Sequence, residues 1–332
     1  MTTTTEIARG IYKNDLARRA IRWMDAMAHP ALAIEIGHDR LAAVRWSRNG
    51  HIDDFVVEAL PPASIIPSAI ETNVMDVKAV GEVFTKICSY LHAHDEDVAL
   101  LLPDPVIRVF VQHFDEFPRS PKQALPLLRW KLKKSVPFPA DEMQISYMLQ
   151  PSQKTGVNVV AAIARQQILR EYDALAESAN LRAGVVLTSS IAAIALLDGQ
   201  QPALMARISD TTLSTAIVHD GILCGYRCTD LPRGAQDLTP NVLLDEIYPI
   251  AAYYQEIWHQ GIQSVRIAGL GSRLPEFVSP LEAEFHCKVQ SLLLSAASEG
   301  VIPDFAHPLV ERELEGLIGW MLHHEKVFTY ET

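Results

Sequence analysis

Three polar turns, each following an apolar strand, contain the side chains of this sequence that could contact a ligand. The first lies within 31–46, ALAIEIGHDRLAAVRW, where two apolar strands are joined by a turn that contains Gly37. The second lies within 203–218, ALMARISDTTLSTAIV, and repeats the strand–turn–strand pattern. The third, GLGS, follows an apolar strand at 265–268. Because glycine adopts positive φ and has no side chain, the first turn predicts a tight reversal and the close approach of another group to the backbone.

Other reactive side chains lack a spacing that indicates catalysis. Ser189 and Ser190 have no histidine and carboxylate at positions typical of a triad, and either serine fits the N-cap of the apolar helix that follows. The pair His323 and His324 fits an exposed helix end. Two cysteines lie four residues apart in one predicted strand, but two further metal ligands cannot be placed. The sequence therefore predicts no catalytic residue and no metal site.

Length and composition indicate a globular protein that works inside the cell. The 332 residues are 48% hydrophobic, which is enough for two domains that each bury a core. There are 29 basic and 40 acidic side chains, and the resulting net charge of −11 disfavours nucleic-acid binding. No apolar run is long enough to cross a bilayer, and no signal peptide precedes the first strand.

The order of predicted elements divides the chain into four parts. Residues 1–30 form a tail and an amphipathic helix over 12–27. The basic residues of that helix favour contact with an anionic membrane surface, whereas its apolar side favours docking on the protein itself. Residues 31–198 form a first α/β domain and 199–307 a second. Residues 308–332 form a C-terminal helix that returns to the first domain.

Within the first domain, residues from about 105 to 164 form an inserted subdomain. A lysine- and arginine-rich helix is predicted over 120–135, and the Pro-Phe-Pro sequence at 137–139 ends it because proline cannot continue a helix. Two strands follow at 144–150 and 157–164.

The order of these patterns resembles the actin-like ATPase superfamily, and several segments resemble the type IV pilus assembly protein PilM family, which is related to FtsA. The most specific match is LRWKLKKSVPFPADEMQISYMLQ at 128–150, and SVRIAGLGSRLPEF at 264–277 also matches. The resemblance covers about 31–325. It implies an α/β, actin-like (ribonuclease H-like) fold of two domains with a deep cleft and an inserted FtsA-type subdomain.

The resemblance also implies a nucleotide site in the cleft, with ATP and Mg as cofactors. In that architecture the first turn cradles phosphates, and an aspartate beside it holds a hydrated magnesium ion. Carried over by position, the candidate nucleotide-binding residues are Glu35, Gly37, His38, Asp39, Ser209, Asp210, Thr211, Gly269, Gly271 and Ser272.

The turn sequences depart from that pattern. Asp39 would repel a phosphate unless a cation intervened, although Arg40 could offset the repulsion. The second turn has Arg207 to Ser209 where Asp-Ile-Gly is expected, so it lacks both a metal-facing carboxylate and a glycine. We therefore predict a degenerate nucleotide site with weak or absent ATPase activity.

For function, the resemblance implies a scaffold beneath the inner membrane. PilM-like proteins bind the short cytoplasmic tail of a bitopic partner, PilN, in a groove between the first subdomain and the insert, and help couple the pilus motor ATPases to the periplasmic complex. The candidate partner-binding residues are Trp130, Lys133, Phe138 and Tyr147. Their aromatic rings could form a pocket for a short apolar peptide, or could instead pack the core of the insert itself.

Two other functions stay open from the sequence. One is the actin-like cytoplasmic part of the type II secretion component GspL, which continues into a membrane span that we do not expect here. The other is a sugar-kinase-like or chaperone-like ATPase, which would need a carboxylate at Arg207 or Ser209.

Overall fold

A computed structural model describes residues 30–47, 51–152 and 155–328, except for the side chains of residues 323–328. The predicted helix over 12–27 lies outside these residues, as do the side chains of the histidine pair. Within the described chain, no helix is both long and apolar enough to cross a membrane.

Strands and helices are both distributed along the described residues. The strands are β1 (Leu32–Ile36), β2 (Arg40–Trp46), β3 (Ile52–Ala59), β4 (Asp97–Leu102), β5 (Arg108–Phe114), β6 (Met143–Pro151), β7 (Val157–Arg165), β8 (Arg182–Thr188), β9 (Ala203–Ser209), β10 (Thr212–His219), β11 (Ile222–Asp230), β12 (Ser264–Ala268) and β13 (Lys288–Ser291). The α-helices are α1 (Val77–Tyr90), α2 (Pro121–Leu132), α3 (Gln166–Ser178), α4 (Ser189–Ala193), α5 (Pro240–Trp258), α6 (Leu274–Phe285), α7 (Leu292–Ser298), α8 (His307–Val310) and α9 (Glu315–Phe328).

Two five-stranded sheets share one topology. The first has the order β3-β2-β1-β4-β8, and the second has the order β11-β10-β9-β12-β13. In each sheet, the first three strands in sequence form an antiparallel meander, and the two later strands pair in parallel. We call the parts of the chain built on the first and second sheets lobe 1 and lobe 2.

A third sheet belongs to the insert between β4 and α3. Its order is β5-β7-β6, and both pairs are antiparallel. Helix α2 buries Ala124, Leu128 and Leu132, whose spacing of four residues puts them on one face, and Leu128 and Leu132 belong to the core of the insert. The helix ends at Leu132, so Lys133 and Lys134 follow the helix rather than lying within it as predicted.

The core of lobe 1 is built around its central strands, β1 and β4. The side chains of β1 are all buried, as are those of β4 from Val98 onward, and both strands read as continuous apolar runs apart from Glu35. Such runs are typical of strands that are covered on both faces. A buried charged side chain needs an opposite charge or hydrogen bonds to offset the cost of leaving water, and Glu35 is the side chain of these two strands to which this applies.

The C-terminal region differs from the single helix predicted over 308–332. It forms α8 and α9, and the turn between them places Glu313 at φ 53. Helix α9 packs on α4 of lobe 1, and a Cβ at Gly319 would lie 2.2 Å from the backbone oxygen of Ala192. Glycine is required there because the two backbones meet.

Two helical glycines provide a test of this close packing. Gly319→Ala should lower the free energy of unfolding by about 1–3 kcal/mol, because the added methyl group must push α9 away from α4. Gly81→Ala in α1 is the matched control, since nothing lies within 4 Å of its added Cβ. It should raise the free energy of unfolding by about 0.5–1 kcal/mol through helix propensity. Urea unfolding measures both, and equal effects would contradict the packing.

Candidate functional site

Charged side chains from both lobes meet in one buried cluster, which we call the Arg207 cluster. Glu35 lies near the carboxyl end of β1, Asp104 follows β4, and Glu315 is the first residue of α9. Arg207 comes from β9 in lobe 2. Because β1 and β4 run parallel, their carboxyl ends lie at the same edge of the sheet, which is where ligands bind in open α/β sheets.

The guanidinium of Arg207 contacts three carboxylates at once. Its Nε donates to Glu315 at 2.7 Å, its Nη1 to Asp104 at 3.3 Å and its Nη2 to Glu35 at 3.2 Å. The Arg207 side chain is only 12% exposed. Each guanidinium nitrogen therefore bonds a carboxylate from a different part of the chain. A lysine has a single nitrogen and could not make these three contacts in the same geometry.

Asp104 is the most completely bonded member of the cluster. Its oxygens accept hydrogen bonds from the backbone N–H of Ser190 at 3.0 Å, from the Ser190 hydroxyl at 2.5 Å and from the Ser214 hydroxyl at 2.8 Å. Ser190 belongs to lobe 1 and Ser214 to lobe 2, so the carboxylate links the lobes directly as well as through Arg207. The predicted capping role falls to Thr188 instead, whose hydroxyl accepts from Ile191 N–H.

Burial and charge act in opposite directions on the pKa values in the cluster. Burial raises the pKa of Glu35 above its ordinary 4.5, and Arg207 offsets only part of that rise. Burial would lower the pKa of Arg207, but Glu315, Asp104 and Glu35 together outweigh it and raise that pKa. The guanidinium therefore stays charged, while Glu35 keeps its proton to a higher pH than an exposed glutamate does.

The first turn is occupied by contacts within the protein. Gly37 N–H donates to the carbonyl of Arg40 at 2.8 Å, and Gly37 does not take the positive φ that the sequence predicted. It is needed for space instead, since a Cβ would lie 3.0 Å from the Arg40 carbonyl oxygen. The Arg40 guanidinium donates to the carbonyls of Arg312 and Glu313, at 3.4 and 3.1 Å. The segment between α8 and α9 thus lies against this turn.

The turns of the two lobes also touch each other. His38 Nε2 lies 3.5 Å from a carboxylate oxygen of Asp210, while the Asp39 side chain is exposed. In the second turn, the hydroxyls of Ser209 and Thr212 are hydrogen-bonded at 2.5 Å, and Thr211 is exposed. These hydroxyls bond within the turn.

The third turn packs on the second. Gly269 has φ 85, and a Cβ on it would lie 1.8 Å from the carbonyl oxygen of Ile208, so only glycine fits. Gly271 also has positive φ, and Ser272 is exposed just before α6. The predicted residues of all three turns are therefore brought to one region, around the Arg207 cluster.

The residues at this place do not fit magnesium and a polyphosphate. The position among the carboxylates is filled by the Arg207 guanidinium, and the turns present the carboxylates of Asp39 and Asp210, which repel phosphate. Arg40, which could offset that repulsion, is bonded to backbone carbonyls. Among the residues that the structure describes, no group of three or more His, Cys, Asp and Glu side chains could hold a metal ion.

A separate groove lies between lobe 1 and the insert. It encloses about 810 Å³ and is bounded by β6 and β7 of the insert sheet and by β8 of lobe 1. Among the residues that the structure describes, β6 and β8 are each the outermost strand of their sheet, so no described strand pairs with their outer backbone edges. Its lining is mostly apolar and includes Val109, Leu149, Val160, Leu169, Val186 and Ile191.

The four predicted partner-binding residues do not form one pocket. Tyr147 lines the groove, with its ring 5.5 Å from that of Phe117. Phe138 is buried in the core of the insert. Trp130 is 67% exposed on α2 and Lys133 is exposed after it, and neither lines the groove.

Two members of the cluster were missed by the reasoning from sequence. Asp104 stands between two prolines directly after the apolar strand β4, and an acidic residue at the end of a central strand is a signal that could have been used. Glu315 precedes Gly316 on α9, where a Cβ would lie 3.0 Å from the Glu35 carboxylate oxygens. That contact depends on the tertiary fold and has no local signal.

Comparisons with known proteins identify the fold. No family model and no curated protein sequence matches the chain. A chain of a solved PilM-PilN type IV pilus biogenesis complex is similar, with a TM-score of 0.66 over 90% of this chain and 98% of that one, at 17% identity. At this identity the likeness shows the fold alone, and it confirms the predicted α/β, actin-like fold.

Two weaker likenesses accompany it. A Bacteroides thetaiotaomicron protein with an actin-like ATPase fold has a TM-score of 0.49 over 80% of this chain and 92% of that one, at 11% identity. The cytoplasmic domain of EpsL, an inner membrane component of the type II secretion system of Vibrio cholerae, has a TM-score of 0.45 over 71% and 80%, at 11% identity.

The pKa of Glu35 predicts how stability depends on pH. A carboxyl group with a raised pKa in the folded state stabilises fully below its ordinary pKa of 4.5, and this contribution is lost as pH rises toward the folded value. Relative to Glu35→Gln, the wild type should therefore lose up to about 1.4 kcal/mol of unfolding free energy per pH unit above pH 4.5. Urea unfolding between pH 4.5 and 8 measures it, with exposed Glu284→Gln as the control. A constant difference between the wild type and Glu35→Gln would contradict the assignment.

We predict that this chain does not bind ATP with magnesium. A fluorescent ATP analogue with magnesium should give no saturable signal on the full chain, because the cation position is filled and the turns repel phosphate. Fluorescence titration measures this binding. Saturable binding in the micromolar range, competed by unlabelled ATP, would show that the cleft opens to accept nucleotide.

Proposed function

We propose that this chain is an actin-like scaffold of a type IV pilus assembly machine that works by binding a partner protein. It lies in the cytoplasm at the inner membrane and binds the cytoplasmic tail of a PilN-like bitopic protein. The observation that carries the proposal is the apolar groove between β8 and the insert sheet, on a fold shared with a chain of a PilM-PilN complex.

The shape of the groove favours an extended peptide. An unpaired strand edge on each side offers backbone N–H and C=O groups, and a peptide that adds to an edge gains main-chain hydrogen bonds. The apolar lining would take alternate side chains of such a peptide, with Tyr147 and Leu149 on the β6 side and Val186 on the β8 side. Contacts with pilus motor ATPases and with the membrane through residues 12–27 belong to the same proposal.

The alternative of a sugar-kinase-like or chaperone-like ATPase gains no support from the site. It required a carboxylate at position 207 or 209, and Arg207 is instead the cation of a filled cluster. A weak or absent ATPase activity therefore accompanies the scaffold role. The GspL-like alternative serves a different secretion system with the same kind of partner-binding role, and no observation of the groove favours it.

The groove is tested with two exposed leucines. Leu149 is 49% exposed in the groove, and Leu294 is 66% exposed on α7 of lobe 2. Leu149→Asp should weaken binding of the partner tail about tenfold or more, because the carboxylate would be desolvated against an apolar peptide. Leu294→Asp should leave binding unchanged. The probe is a fluorescein-labelled peptide of the N-terminal cytoplasmic tail of the PilN-like protein of the same organism, measured by fluorescence anisotropy.

Trp130→Ala distinguishes the groove from the aromatic surface predicted by sequence. It removes a large exposed ring outside the groove, so peptide affinity should not change. No binding of the peptide to the wild type would refute the proposed function. A loss with Trp130→Ala but not with Leu149→Asp would place the partner site on α2.

A further inference from the structure

Arg207 stands where the carboxylates of lobe 1 would otherwise need a cation from solution. Three of them, from β1, the segment after β4 and the start of α9, face one guanidinium. All four side chains are largely buried, so none of these charges is stabilised much by water. A bound cation is often the largest local charge in such a site, and here the protein supplies it from its own chain.

The cation is attached to lobe 2, which changes what it can do. A dissociable ion would leave the cleft, whereas the guanidinium is fixed to β9 and stays protonated at all ordinary pH values. Its neighbour on the same sheet, Ser214, donates to the same Asp104 oxygen that Arg207 contacts. The two lobes are therefore held together by permanent groups of the protein.

The cluster is also connected to the wall of the groove. Asp104 accepts from the backbone and hydroxyl of Ser190, the second residue of α4. Thr188 caps that helix, is the last residue of β8 and lines the groove together with Ile191. The path from Arg207 to the groove thus has two steps, Asp104 and the first turn of α4.

We propose that Arg207 takes the place of a nucleotide-bound metal ion and keeps the β8 wall of the groove in its partner-binding form without nucleotide. It is a positioning residue that acts through Asp104 and Ser190. The proposal rests on the proposed function for the identity of the groove's occupant, but the ordering of β8 by Arg207 can be measured without any peptide.

The test compares Arg207→Met with a destabilising variant of the same lobe. Ile217→Ala removes a fully buried side chain of β10 in the lobe 2 core, away from the groove. Hydrogen exchange of the full chain, without nucleotide or magnesium, should become faster over residues 183–191 in Arg207→Met. In Ile217→Ala that segment should exchange as in the wild type. The proposal would be overturned if exchange over residues 183–191 became equally faster in both variants, or changed in neither.

Peptide binding gives a second readout. Arg207→Met should bind the labelled tail peptide about tenfold more weakly, the size of a typical coupling between sites, whereas Ile217→Ala should keep the wild-type affinity. If the wild type binds no peptide, the proposed function fails while the exchange result still decides the role of Arg207. If Arg207→Met does not fold, Arg207→Lys replaces it. Lysine keeps the charge but cannot reach three carboxylates, so faster exchange over 183–191 is again expected, and unchanged exchange would overturn the proposal.

Discussion

The ion cluster around Arg207 is a buried polar contact that joins the two lobes at the carboxyl ends of β1 and β4. A buried guanidinium shared by three carboxylates contributes little net stability compared with a well-packed apolar core, but removing one partner leaves the others uncompensated, at a cost of about 3–5 kcal/mol. Such a cluster therefore specifies one relative position of β1, β9 and α9 more than it stabilises the fold. We infer that this relative position of the elements is built into the chain itself.

The cleft and the groove are built from different parts of the sheets. Both sheets direct the carboxyl ends of their parallel strands toward the cleft, so any change of β1, β4 or β9 affects that site. The groove depends instead on the insert and on the outer strand β8. The cleft can thus lose the chemistry of phosphate binding while the groove keeps its apolar lining. The short connection through Ser190 still allows one site to influence the shape of the other.

The parts of the fold that local sequence determines were predictable. The apolar strands, the third turn and helix 274–285 follow from hydrophobic pattern, glycine and proline, and these signals are short-range. The break between α8 and α9 was missed, since Glu313 adopts a left-handed conformation that its residue type does not indicate. Sequence placed Phe138 beside Tyr147, but could not show that Phe138 is buried in the insert core whereas Tyr147 packs on that core and also lines the groove.

The charged contacts of the cleft could not be predicted from the sequence. The unusual Arg207 was recognised as a departure, yet its partners lie far from it in sequence, as with Glu35 and Asp104. Pairing at such distance is a property of the tertiary structure. A single sequence supplies no means of choosing among 40 acidic side chains.

The proposed scaffold role requires that this chain bind its partner without help from nucleotide. Calorimetric titration of the tail peptide into chain stripped of nucleotide and divalent ions, repeated with excess magnesium and ATP, measures this directly. We expect the same peptide affinity in both conditions, because a nucleotide that does not bind the chain cannot shift its conformational equilibrium. Binding that occurs only with magnesium and ATP would contradict it.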